Sequence, residues 1–182
     1  MSLISDWLAT NKLSLNVKKT KFMLFRYPQK SPHSIQKLDL EIDGTSIEQV
    51  KTFDFLGLVI SETLSWKEHV NKISLKISKV IAVMRKIKYT VNSNILLKIY
   101  NSLILSRIHY GILCWGYEHK RIFILQKKAI RIVHKSKYNS HTDPIFKSLN
   151  QLKTRDIFTI QSLKFYHRFC HNNLPSYFKK HV

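Results

Sequence analysis

Acidic residues are scarce in this chain. Eleven Asp and Glu stand against 31 Lys and Arg among 182 residues, a formal net charge of +20. Two cysteines, Cys114 and Cys170, are too few and too far apart for a disulfide scaffold or a CxxC metal site. A reducing compartment is therefore expected, nucleus or cytoplasm and not the secretory route. Glycine and proline, four of each, leave little turn material, so long regular elements with few loops should dominate. No long hydrophobic run is present: the uncharged stretch at 108–117 is about half of the ~20 residues that a helical membrane span needs. The first residues carry no basic segment ahead of an apolar core, so no signal peptide is expected. Internal repeats and low-complexity segments are also missing.

What remains is a foldable chain. It is 44% hydrophobic and 12% aromatic, which excludes a disordered basic tail. An excess of positive charge on a folded chain is usually a footprint for nucleic acid or, less often, anionic lipid. That charge is unevenly placed. Residues 1–66 hold 8 basic and 7 acidic residues, whereas 67–182 hold 23 and 4. Between Glu68 and Glu118 eight Lys and Arg occur with no carboxylate. A step of this size separates two modules, and the second carries the binding.

The first module reads as α then β. Leu3, Ile4, Trp7 and Leu8 recur at helical spacing and stop at Asn11. Leu13, Leu15 and Val17 alternate with polar residues and 21–25 is apolar, predicting two strands. A looser stretch holds Pro28 and Pro32. Leu38, Leu40 and Ile42 run into Asp43-Gly44, a two-residue hairpin signal. Residues 52–60 predict one further strand, with Gly57 marking a bulge or close backbone approach.

The second module reads as helices. Ser65 followed by Glu68 fits a capping box. Val70, Ile73, Ile77, Val80, Met84 and Ile87 then form a seam of 3-4 spacing suited to helix packing. Asn92 or Ser93 caps a second helix with Ile95, Leu96, Ile99, Leu103 and Ile104. Ile122, Leu125, Ala129 and Ile132 mark a third. Asp143-Pro144 opens a short helix through Leu149, and a last helix runs from Thr154 to about His171, ahead of Pro175.

On the first long helix Lys72, Lys76, Lys79 and Lys86 fall within about 80° at 100° per residue, about 120° from the apolar seam. Four cations with no interleaved acid repel one another unless an anion neutralises them. That pattern points to a surface tracking phosphates. Arg131 and Lys135, assigned to the later basic helix, share this role. His167, Cys170 and His171 sit within a turn or so, but further ligands have no fixed spacing, so no metal site is assigned. Phosphate-loop, nucleophile-elbow and H-E-x-x-H motifs are missing. The carboxylates are never adjacent, so a two-metal phosphoryl-transfer site has no ligand pair. Trp7, Trp66, Trp115, Phe53 and Phe55 could stack on bases but are assigned to the core.

The order of these pieces resembles the reverse transcriptases of non-LTR retrotransposons. Trp7-Leu8, then Asn11-Lys12-Leu13-Ser14-Leu15-Asn16 and Lys19-Thr20-Lys21, is similar to their motif D. Phe53-Asp54-Phe55-Leu56-Gly57 resembles motif E, the primer-grip strand. Leu64-Ser65-Trp66-Lys67-Glu68-His69 followed by Ile77-Ser78-Lys79 resembles the start of the thumb. Residues 97–116, L-x-x-Y-x-S-L-I…Y-G-x-x-x-W-G, resemble its continuation. Leu125-Gln126-Lys127-Lys128-Ala129-Ile130-Arg131-Ile132, His141-Thr142-Asp143-Pro144 and Leu174-Pro175 resemble the post-thumb tail.

The resemblance implies an α+β fold: a small antiparallel palm-remnant sheet with one helix (1–66), an all-α thumb bundle (67–117) and a basic helical extension (118–182). It implies that Lys19 is the motif D lysine proposed to protonate leaving pyrophosphate, a cation placed where phosphate charge develops. Phe55, Leu56 and Gly57 would seat the primer end. Lys72, Lys76 and Lys79 would contact phosphates of the template–primer duplex, positioning it without reading sequence. The implied partners are RNA or RNA–DNA hybrid and the missing palm and fingers, with no membrane. The family's catalytic F/Y-A-D-D hairpin is not in this sequence and would lie upstream of Met1. Mg²⁺ is thus implied only for the complete polymerase, with no cofactor in this chain. A stand-alone basic RNA-binding module is the alternative, and a peripheral binder of anionic membranes a third. The purified 182-residue chain should extend no primer with Mg²⁺ or Mn²⁺, because no acidic pair is present to hold the metals. Primer extension on a gel checks this.

Overall fold

The computed structural model describes residues 2–16, 19–27, 38–42 and 44–179, with side chains from Asp6 to Phe178. Val17, the stretch around Pro28 and Pro32, and Asp43 lie outside the described residues. The fold is α+β, and the chain divides into two compact units, Met1–Ser65 and Trp66–Val182.

The first unit opens with helix α1, Ser2–Thr10. Trp7 is exposed on it rather than buried. Residues 13–16 form no strand, and β1 is only Lys21–Phe22. Strands β2, Leu40–Ile42, and β3, Thr45–Gln49, pair antiparallel, with Ile42 opposite Thr45 across the Asp43-Gly44 position. Gly44 has φ +72°, in the left-handed region that glycine tolerates. β1 pairs with β3 in parallel, not antiparallel as expected, and Lys21 lies opposite Glu48, with which it forms an ion pair.

The segment predicted as a single strand is instead a hairpin. β4, Thr52–Phe55, and β5, Leu58–Ser61, pair antiparallel, with Phe55 opposite Leu58. Leu56 (φ +49°) and Gly57 (φ +84°) form the two-residue turn, both left-handed as type I′ requires. Gly57 therefore marks a reversal of the chain and not a bulge. Phe53, Phe55 and Leu56 are exposed, so the first two are not core residues either. The core of this unit is small: Ile42 and Ile47 are its buried apolar side chains among the described residues.

The second unit is helical. α2, Lys67–Ile87, starts one residue later than a Ser65 cap would allow, with Trp66 at the boundary. Ser65 is instead held by Ser61, whose Oγ accepts from the Ser65 N–H (2.9 Å) and donates to its carbonyl (3.0 Å). Val70, Ile73, Ile77 and Met84 of the predicted seam are buried, joined by His69, Ser74 and Ile81. α3, Ser93–Tyr100, is capped by Asn92, whose Oδ1 accepts from the Ile95 N–H at 2.9 Å. It continues through a π-helical turn, Asn101–Leu105, into α4, Ser106–His109. Gly111, at φ +62°, ends this run, and α5, Ile112–Trp115, follows.

The π turn explains a buried stripe that the 3-4 pattern did not give. Leu96, Tyr100, Ile104 and Ile108 are all fully buried, while Ile95 and Leu103 are exposed. In a regular α-helix each four-residue step overshoots a full turn by about 40°. Three such steps would carry Ile108 off the face. One wide turn absorbs the extra residue and returns Ile104 and Ile108 to the core.

α6, Lys120–Val133, packs on α2 and α3, so helices from 67–117 and 118–182 share one core. α7, Asp143–Ser148, lays Phe146 against Phe123 of α6, ring centroids 6.3 Å apart. Asp143 pairs with Lys153 at 2.9 Å, and that hydrogen bond lowers the Asp143 pKa. α8, Thr154–Cys170, crosses Gly116 so closely that a Cβ there would sit 2.8 Å from Phe158 Cγ.

At the centre lies Gln126, fully buried. Its Nε2 donates to the Tyr100 hydroxyl (2.8 Å) and to the Leu152 carbonyl (2.9 Å). Its Oε1 accepts from the backbone N–H and the hydroxyl of Thr154, each at 2.8 Å. One amide thus joins α3 and α6 to the start of α8 and satisfies an amide that the helix itself leaves unpaired.

Glycine scarcity shows at the helix ends. α1, α6, α7 and α8 all close with paired 6→1 and 5→2 backbone bonds, such as Ser136 N–H to Arg131 O (3.0 Å) and Lys135 N–H to Ile132 O (3.1 Å). The left-handed residue is Lys12, Lys135, Asn150 or Asn172, never glycine.

Three outcomes follow from this packing. Gln126→Leu should cost about 3–5 kcal/mol in urea unfolding, because it strands several buried polar groups, whereas Tyr100→Phe should cost about 1 kcal/mol. Burial pushes the Tyr100 phenol up to about 12 from 10.0, against the lowering effect of Gln126. The unfolded chain loses this proton first, so the stability is fully present below pH 10 and lost as pH rises through 12. Tyr100→Phe should flatten that part of the pH–stability curve. Separately, hydrogen exchange should find the amides of β4 and β5 less protected than those around Val80, given the small core of the first unit.

Candidate nucleic-acid interface

The α2 helix places its lysines away from the core. Its buried side chains from His69 to Met84 occupy one side, and at 100° per residue Lys72, Lys76, Lys79 and Lys86 occupy the other. Lys76, Lys79 and Lys86 are exposed and Lys72 is half-buried. Exposed Val83, and Leu75 beside it, interrupt the stripe. The only acid on α2 is Glu68, in its first turn, and Arg85 and Lys86 stand in the last turn, where cations suit the helix dipole. The structure therefore brings these four predicted residues together on one helix face. Such a row of ammonium groups offers positive charge to a phosphate backbone and no means of reading bases.

Arg131 and Lys135 are placed elsewhere. Arg131 lies near the end of α6, and its Nε donates to the Ser140 carbonyl at 2.8 Å. Lys135 is not on the helix but two residues past it, in the left-handed position of the closing turn. Its Nζ donates to the Val91 carbonyl at 2.8 Å, tying that turn to the α2–α3 connection. Both serve the fold as well as carrying charge.

Around Arg131 the structure assembles a second basic group that the sequence pattern did not single out. Arg85 and Lys88 at the end of α2, with Lys128 and Arg131 of α6, line a cavity of about 250 Å³ beside Tyr89 and Tyr138. The pairs 85/88 and 128/131 have the i, i+3 spacing that places two side chains on one helix side. That was the available signal.

The remaining predicted residues lie in the first unit. Lys19 is an exposed turn residue, its N–H bonded to the Asn16 carbonyl (3.0 Å) and to Asn16 Oδ1 (3.3 Å). Phe55, Leu56 and Gly57 form the tip of the β4–β5 hairpin, with Leu56 75% exposed. Trp115, assigned to the core, is wholly buried, its Nε1 donating to the Tyr110 carbonyl at 3.0 Å.

His167 and His171 stack ring on ring, centroids 4.0 Å apart. Among the described residues no three His, Cys, Asp or Glu side chains form a group that could hold a metal. No helix among the described residues is long and apolar enough to cross a membrane. Comparisons with protein-family models, with curated proteins and with solved structures find no match for this chain.

Proposed function

We propose that this chain is the end-of-palm, thumb and tail portion of a retrotransposon reverse transcriptase, acting in the nucleus or cytoplasm. In this reading α2 grips the template–primer RNA–DNA duplex through phosphate contacts. The observation that carries it is the single-sign lysine face of α2, on a helix whose other side is buried in the core. Motif resemblance supplies the polymerase context. In that context the Phe55-Leu56-Gly57 tip supports the primer end and Lys19 stands near the departing pyrophosphate. Binding of this kind is electrostatic and tolerant of sequence.

Neutralising about four phosphates gives a log–log salt slope of roughly −3 to −4 on duplex. Lys76→Ala should weaken binding about equally across sequences and reduce the slope by about one. Fluorescence anisotropy over a salt series measures both. A flat salt dependence, or unchanged affinity after all four lysines become alanine, sinks the reading. Preference for anionic vesicles over duplex in competition would replace it with membrane binding.

A further inference from the structure

We propose that the cavity between the C-terminal ends of α2 and α6 binds one unpaired nucleotide, base and phosphate together, from a single-stranded extension of the duplex held on α2. This rests on the duplex-binding reading of α2 and assigns a separate site for a different part of the same nucleic acid. The cavity lies at the C-terminal end of α2, level with Lys86 but on the side that faces α6. At 100° per residue Arg85 and Lys88 stand about 100° and 160° around the helix from Lys86, so a single-stranded extension reaches it around the helix end.

Charge and aromaticity coincide here. Four cations line the cavity and no carboxylate does. The side chains of Arg85 and Lys128 make no hydrogen bond or ion pair with the described residues, so their charge is available to an anion. Arg131 uses Nε on Ser140, which fixes the guanidinium and leaves its terminal amino groups for a bidentate grip on phosphate. Two tyrosine rings stand at this basic cavity while 85% (Tyr89) and 79% (Tyr138) exposed. Rings this open contribute little to the core. They are placed to stack on a base, which is tolerant of base identity because every base has a flat face.

The cavity is built before any ligand arrives. Lys88 Nζ donates to the Ser136 carbonyl at 3.3 Å and lies 5.3 Å from the Tyr89 ring centroid. Lys135 Nζ holds Val91 from the other side at 2.8 Å. These two cross-ties join the α2–α3 turn to the α6–α7 connection, so little ordering is needed on binding. A volume of about 250 Å³, just under the range of drug-sized sites, admits one ring system and excludes a duplex. Ile132 supplies an apolar wall. A bare phosphate would leave the rings unused, and a lipid headgroup would need apolar surface for its chains.

The test measures anisotropy of the full chain with three probes: a blunt RNA–DNA duplex, the same duplex with a short uridine overhang, and that overhang made abasic. The overhang should tighten binding roughly fivefold or more, and the abasic overhang should lose most of that gain. Tyr89→Ala with Tyr138→Ala should abolish the gain and leave blunt-duplex affinity unchanged, while the double Phe variant keeps it. Arg85→Ala with Lys128→Ala should reduce it. An overhang without effect, a gain that survives the double Ala variant or the abasic probe, or a gain removed by phosphatidylserine vesicles would overturn the proposal. If the blunt duplex itself fails to bind, the α2 reading falls alone. Single-stranded oligouridine then decides, binding lost in the double Ala variant supporting the cavity and no binding overturning it.

Discussion

The carboxamide of Gln126 is the point on which the helical unit turns. An amide side chain buried completely is favourable only when its donors and acceptor are all engaged, and here Tyr100, Leu152 and Thr154 engage them. The arrangement fixes where α8 begins and holds α6 against α3. Because α6 also packs along α2, the orientation of the lysine face and the closure of the nearby basic cavity both depend on this amide. Gly116 plays the complementary part, since its missing side chain admits the Phe158 ring. Polar satisfaction sets the start of α8, and steric permission sets how near it comes.

The apolar seam of α2 was legible from spacing alone, because a long helix with one buried side repeats a strong signal. The Asn92 cap, the Asp143-Pro144 start and the Thr154 start were legible for equally local reasons. Elements that depend on partners were not. A two-residue strand such as Lys21–Phe22 exists only because β3 lies beside it. The Leu56-Gly57 reversal was hidden because the flanking residues are as apolar as those of a continuous strand, and leucine is an unusual occupant of a left-handed turn position. The π turn has no spacing signature apart from the four-residue stripe it creates.

For the interface, the sequence located the lysine face of α2 because charge on a regular helix is a matter of angles. It could not locate the cavity, whose walls come from helix ends far apart in the chain. Arg131 and Lys135 show the limit from the other side: each was identified by charge, and each spends part of its hydrogen-bonding capacity on backbone carbonyls. Three residues between Tyr100 and Gly116 are packing devices: a buried phenol, a buried indole and a glycine under a phenyl ring. Their spacing follows from the core they build.

The wide turn at Asn101–Leu105 also fixes how the chain can change in length. The helix there carries one residue beyond what an α-helical path needs, so deleting one residue could restore regular hydrogen bonding with no broken backbone. The same deletion would leave Ile104 seven and Ile108 eleven residues from Leu96, each within about 20° of it at 100° per residue, so the buried face would be kept. Elsewhere in the helical unit a length change disrupts backbone bonding and register together. At this turn one residue can be removed with both kept.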